Sequence, residues 1–255
     1  MPISVTPKPE VLHEWLPLSM NQEAMKTYTS GMNFSTEEDC SIDNGDVYLT
    51  MSQCLDLINA SSMATTSPYT LRLATTAEDI NSICRLVKGL AIYEKEPDSV
   101  NIGSKEYTVD GGFKQQGGGN DNNDGKVEPL FYCILLDHHD PDSHETTTCG
   151  MAFIYFGYAL SADDNGGNFL YLEDLFIEEN YRKGGAGTLV MKSLAFISLK
   201  LDSKKMCWVA LDWNTPALNF YNKIGAIVEQ EIKLTRYANE SLHKFVSSPI
   251  AFDSP

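Results

Sequence analysis

Residues 171–188 read Tyr-Leu-Glu-Asp-Leu-Phe-Ile-Glu-Glu-Asn-Tyr-Arg-Lys-Gly-Gly-Ala-Gly-Thr, and an apolar stretch follows them. The spacing predicts a strand over 168–177, a glycine-rich turn, and a helix over about 185–199 that buries Val190, Leu194, Ile197 and Leu201 on one stripe. A turn of this kind opening a helix is a phosphate cradle, because glycines let backbone N–H groups approach an anion and the helix N-terminus adds its positive end. A plain tight turn would use the same residues. A nicotinamide site fits poorly: the glycines fall late, Arg182 precedes them, and no βαβ repeat with a ribose-binding acid follows.

Working outward, 206–211 reads as a strand and 216–224 as a helix. Thr215 serves as its expected cap, Pro216 sits in its first turn and Gly225 at its left-handed end, with terminal strands beyond. Upstream, 69–74 alternates as a half-buried strand, and Thr75 or Thr76 caps a helix through Ile80, Ile83, Cys84, Val87, Leu90 and Ala91. Strands over 130–136 and 150–159 form an antiparallel hairpin. In the joint between them His138, His139, Asp140, Asp142, His144 and Glu145 resemble a ligand set, but polar groups crowd into solvated turns anyway, so no metal is expected. The run 117–125 is Gly, Asn and Asp throughout and reads as a mobile loop within 98–128. The element order is therefore β-α-β-β-β-α-β-α-β, an α/β (α+β) domain.

The chain of 255 residues suits one domain with appendages. Residues 1–68 carry nine acidic groups against Lys8 and Lys26 and show no sustained periodicity. They read as a flexible or weakly ordered extension, in which the apolar runs 48–51 and 54–58 could form a helical turn or two. The domain is expected over 69–246 and a tail over 247–255. A formal net charge of -16 argues against a nucleic-acid surface, and it suits either attraction of cations or solubility alone. The six scattered cysteines suit a reducing compartment. With no signal-like start and no membrane-length apolar run, a cytoplasmic protein away from membranes is the expectation.

Several separated motifs resemble the GNAT N-acetyltransferases. Arg182-x-x-Gly185-x-Gly187 resembles their acetyl-CoA loop, and 211–226, Leu-Asp-Trp-Asn-Thr-Pro-Ala-Leu-Asn-Phe-Tyr-Asn-Lys-Ile-Gly-Ala, resembles the segment that follows it. The stretches 171–176, 212–214, 71–75 and 90–94 are similar to the diamine (spermidine/spermine) acetyltransferase branch and its plant relatives. Over about 69–240, the resemblance implies a mixed, mostly antiparallel central sheet flanked by helices. Transfer of acetyl from acetyl-CoA to a primary amine of a small di- or polyamine by direct attack is the implied reaction, in a homodimer and without a metal. Diamino acids such as ornithine or a thialysine-like compound, peptides, and a silent acyl-CoA-binding module stand as alternatives.

The resemblance also assigns residues. Tyr221 would protonate the departing thiolate, since a phenol ordinarily near ~10 holds its proton where a thiol near ~8.5 is leaving. On spacing alone it reads more readily as a core aromatic. Something must deprotonate an alkylammonium ordinarily near ~10.4, and Glu173 is the candidate base in an apolar strand. Strand alternation puts Asp174 on the opposite side of the sheet, so the two cannot both serve. Coenzyme contacts fall to Leu175, Phe176, Ile177, Arg182, Lys183, Gly184, Gly185, Ala186, Gly187, Thr188, Asn214, Thr215, Pro216 and Ala217. The amine falls to Tyr93, Glu94, Glu173, Cys207, Trp208, Val209 and Glu231. Ile232 stands where the family often has Trp.

Overall fold

The computed structural model describes residues 15–21, 24–26, 50–61, 67–113, 129–160, 166–230, 232, 234–236 and 239–248. The elements in chain order are β1 (Trp15–Asn21), α1 (Met51–Ala60), β2 (Tyr69–Leu73), α2 (Ala77–Tyr93), α3 (Ser104–Asp110), β3 (Tyr132–His139) and β4 (Thr146–Ala159). There follow β5 (Gly167–Ile177), α4 (Ala186–Lys200), β6 (Lys205–Leu211), α5 (Thr215–Lys223), β7 (Ile227–Val228) and α6 (Asn239–Val246). The strands form one sheet in the order β2-β3-β4-β5-β6-β1-β7. Every pairing is antiparallel except β5 with β6.

Local chemistry sets the helix starts. Thr76 caps α2 in a capping box with Asp79, and Thr50 caps α1 in another with Gln53. Asp79 also receives Arg72 at 2.5 Å, and Arg72 binds Asp137 at 2.6 Å, which ties the edge strand β2 to α2 and β3. One face of the sheet (Leu71, Ile134, Leu136, Ala152, Ile154, Leu170, Leu172, Met206, Trp208) packs with residues of α4 and α1. The other (Cys133, Leu135, Met151, Phe153, Phe176) packs with α2 and Tyr107 of α3.

Two irregularities shape the centre. Phe153 pairs with Asp174 but Ile154 pairs with Leu172, so Glu173 is an extra residue in a β-bulge. β5 and β6 pair only from Phe169↔Lys205 to Leu172↔Trp208, while β6 continues along β1 as far as Leu211↔Trp15. Past the bulge, residues 173–177 therefore present a sheet edge that β6 does not pair.

Three expectations need correction. The extension 1–68 was expected to be weakly ordered, yet it supplies β1, whose Leu18 and Met20 are buried, and α1, whose Cys54, Leu55 and Ile58 join the main core. The helical turn expected at 54–58 is part of α1. The short run of β1, without sustained period, gave no sign, because it acquires structure by packing on elements far along the chain. Within 98–128, residues 104–110 form α3, whereas 117–125 lie outside the described residues. Beyond Gly225, among the described residues, only Ile227–Val228 pair as a strand, and Asn239–Val246 is a helix.

The β1 placement has a direct test. Leu18→Ala should destabilise the full chain by about 2–4 kcal/mol in urea unfolding, the usual cost of truncating a buried leucine. A change below about 0.5 kcal/mol, typical of a surface site, would mean that β1 does not lie in the sheet.

Candidate active site

The turn before α4 has the geometry an anion needs. Gly185 caps the helix at φ 88° with nothing within 4 Å of a Cβ built on it, and Lys183 also has positive φ, 67°. No side chain caps this terminus. Helix geometry leaves the first backbone N–H groups without intrahelical acceptors, so they can receive an anion. Lys183, Gly184 and Gly185 are exposed, whereas Ala186 is buried. Gly187 lies under the Phe220 ring, where a Cβ would meet Cζ at 3.6 Å. The Arg182 Nε donates to the Ile177 carbonyl at 2.7 Å, and its guanidinium lies 4.8 Å from the Tyr93 ring centre and 5.6 Å from that of Phe176. Leu175, Phe176 and Ile177 run along the unpaired edge of β5 towards this turn. The cradle and the edge together fit a coenzyme with a diphosphate and an amide-bearing arm.

At the facing element, Asn214 caps α5, not Thr215 as the sequence suggested. Its Oδ1 accepts from the Ala217 N–H at 3.3 Å and from the Tyr93 hydroxyl at 2.9 Å. Asparagine is as good a cap as threonine, and capping from 214 makes Thr215 the first helical residue, with Pro216 behind it. Gly225 has φ 86°, as the turn past α5 requires. Tyr221 is buried, its ring 5.2 Å from Trp208 and 5.5 Å from Phe220. Burial, and then the nearby Tyr93, push its hydroxyl well above the usual phenol range.

The carboxylates gather differently from the sequence expectation. The bulge reverses the alternation between Leu172 and Asp174, so Glu173 and Asp174 share the face that carries Phe153, Tyr155 and Tyr171. The prediction that they lie on opposite sides is thus overturned by one inserted residue. Their proximity shows in their acidities. Burial and then the Glu173 charge raise Asp174 to about 6, and burial followed by the Asp174 and Glu96 charges raises Glu94 to about 7. Burial also raises Glu173, opposed by a hydrogen bond from the Tyr155 hydroxyl. Tyr155 stacks on Tyr171 at 4.9 Å.

The other amine-side candidates divide. Tyr93 and Glu94 end α2 beside this group. Cys207 lies next to Tyr171, its register partner, with its thiol raised by burial. Val209 continues the Cys207 face of β6 and pairs with Pro17 of β1. Trp208 turns the other way, into the core against Tyr221, and is not brought to the carboxylates. Glu231 lies outside the described residues. Among those residues no cluster of three His, Cys, Asp or Glu could hold a metal ion, and His138 instead stands between the Tyr69 and Tyr181 rings, 5.1 Å from each.

Because Glu94 is held above its ordinary value, folding favours its protonated form. Its stabilising contribution is full at low pH and is lost as pH rises through about 7. Glu94→Gln should therefore raise Tm relative to the parent at about pH 8 and leave it nearly unchanged at about pH 5. An equal shift at both would contradict a desolvated carboxyl.

Comparison with known proteins decides what this geometry belongs to. The family model for the acetyltransferase (GNAT) family matches residues 125–226, which span β3 to α5, both the glycine turn and the Tyr221 helix included. The chain carries a GNAT acetyltransferase domain. As an N-acetyltransferase of this family it transfers acetyl to amines. It is 28% identical over 150 residues to the thialysine N-epsilon-acetyltransferase of Bos taurus, covering 58% of this chain and 78% of that protein. With the spermidine/spermine N(1)-acetyltransferase-like protein 1 of Homo sapiens it shares 31% over 170 residues, 65% of this chain and 22% of that protein. With an L-ornithine N5-acetyltransferase of Arabidopsis thaliana it shares 39% over 103 residues, 40% of this chain and 44% of that one. A solved integron cassette protein from the mobile metagenome of V. cholerae has the same GNAT fold, with TM-score 0.54 and 19% identity over 71% of this chain and 99% of that one.

Proposed function

We propose that this N-acetyltransferase acts on a primary amine of a small di- or polyamine, with acetyl-CoA as donor and direct attack of the amine on the acetyl group. The supporting observation is the set Glu94, Asp174 and Glu173 on one face beside the open edge of β5. A site that concentrates three partly desolvated carboxylates favours a ligand with several ammonium groups, because each charge-assisted bond made there stabilises the complex. The coenzyme supplies an acetyl group activated as a thioester. Backbone amides of 184–188 and the end of α4 hold its diphosphate, Arg182 and Lys183 add positive charge, and the edge 175–177 takes the arm as an added strand. Residues 214–217 contact it from the start of α5.

Glu173 removes the ammonium proton, directly or through a water, and leaves a lone pair for attack. The C–N bond forms as the C–S bond breaks, Tyr221 gives its proton to the departing sulfur, and the second proton shed by the nitrogen restores the phenol. The desolvation that keeps the phenol neutral also raises the basicity of the departing thiolate, so that transfer is not opposed. Cys207 and Val209 contact the amine chain, Tyr93 stands beside it with its hydroxyl on Asn214, and Trp208 acts through its packing on Tyr221.

The relatives named for thialysine and L-ornithine favour a diamino acid as second reading. Its α-carboxylate would have to lie near Glu94 and Asp174, which favours the plain amine. Thiol release from acetyl-CoA against putrescine, spermidine, ornithine, thialysine, lysine and a peptide separates these. The proposal expects the highest kcat/KM with a plain amine, and activity on peptides alone would exclude it. A homodimer in the cytoplasm, acting without nucleic acid or membrane, completes the proposal. The net charge of -16 disfavours nucleic acid as a partner. Among the described residues no helix is long and apolar enough to cross a membrane.

A further inference from the structure

Tyr93 occupies an unusual junction. It is the last residue of α2, directly before Glu94, so its backbone is fixed by the element that carries the amine-side carboxylate. The Arg182 guanidinium of the glycine turn lies 4.8 Å from its ring centre. Its hydroxyl donates at 2.9 Å to Asn214 Oδ1, the same oxygen that caps α5 by accepting the Ala217 N–H. Trp213 stands 6.1 Å from the Tyr93 ring and carries the Lys95 ammonium 4.4 Å from its own ring centre, so a second pair of contacts spans the same gap. α5 in turn bears Tyr221, whose hydroxyl senses Tyr93 electrostatically.

Three parts of the machinery thus meet at one phenol: the coenzyme turn on its face, the amine carboxylate along its backbone, and the proton-donor helix at its tip. The sheet does not join these parts here, because β5 and β6 have already parted. We propose that Tyr93 is a positioning residue which, by clamping the Asn214 cap, sets the alignment of Tyr221 and links it to occupancy of both substrate sites. This rests on the assignment of Tyr221 as the proton donor. A hydroxyl engaged with Asn214 acts on turnover, whereas a hydroxyl used as a direct amine ligand would act on amine KM.

Tyr93→Phe keeps the ring under Arg182 and deletes only the hydrogen bond. It should lower kcat about tenfold, the scale of a modest misplacement of a catalytic group, and leave amine KM and coenzyme Kd within about twofold. Tyr93→Leu removes the ring as well and should weaken coenzyme binding measurably, because Arg182 loses its aromatic shelf. In a Tyr221→Phe background, Tyr93→Phe should cost nothing further, whereas a merely structural role would still add its loss. Unchanged kcat in Tyr93→Phe, or a rise in amine KM with kcat preserved, would overturn the proposal. If Tyr221→Phe is impaired while Tyr93→Phe is normal, the junction alone is wrong. If Tyr221→Phe retains full turnover, the proton-donor assignment fails and the junction falls with it.

Discussion

Tyr221→Phe should reduce kcat by about a hundredfold or more, the range of a lost general acid, while coenzyme Kd stays nearly unchanged. The substitution deletes one oxygen and retains the ring that packs on Trp208 and Phe220, so the fold around α5 should persist. Burial holds the Tyr221 proton firmly in the resting protein, and the hydroxyl can release it only to a base as desolvated as itself. A departing thiolate in the same cleft meets that condition, whereas bulk water does not. Single-turnover thiol release paired with calorimetric titration of coenzyme separates the two effects. Equal turnover in the variant and the parent would remove Tyr221 from the chemistry.

The second large effect concerns the amine. Glu94→Gln combined with Asp174→Asn removes two acidic partners without removing volume. At about 1.5–3 kcal/mol for each charge-assisted bond, amine KM should rise about a hundredfold or more. The parent should show a matching pH dependence. Glu94 is held at about 7 and Asp174 at about 6, so both carboxyls become neutral as pH falls through that range and their attraction for an ammonium group is lost. Amine KM should therefore fall as pH rises from about 5.5 to 8, while in the double variant that dependence should flatten. A steep dependence surviving in the double variant would place the amine elsewhere.

Much of this site was legible because its chemistry is local. The glycine turn, Pro216 in the first turn of α5 and the Gly225 ending are each dictated by backbone conformations that few residues adopt, so short motifs report them directly, although the α5 cap is Asn214 and not Thr215. The α2 cap was legible as Thr75 or Thr76, and the fold selects Thr76. The relation between Glu173 and Asp174 was hidden, because strand periodicity assumes an unbroken ladder and the bulge depends on how β4 meets β5. Asp174 consequently went unassigned, although it stands next to the residue that was chosen. The joining of Tyr93 to Asn214 was equally invisible, since it connects positions 121 residues apart through tertiary packing alone. β1 was the hardest element to foresee: seven residues near the N-terminus enter the sheet between β6 and β7, elements that lie near the other end of the described chain.

The account turns on the glycine turn at the head of α4, and a crystal structure with bound coenzyme A tests it most directly. The diphosphate should lie within hydrogen-bonding distance of backbone amides among residues 184–188, with the arm running along residues 175–177 where β5 leaves β6. Coenzyme bound elsewhere on the protein, with this turn unchanged and without an anion, would contradict the account.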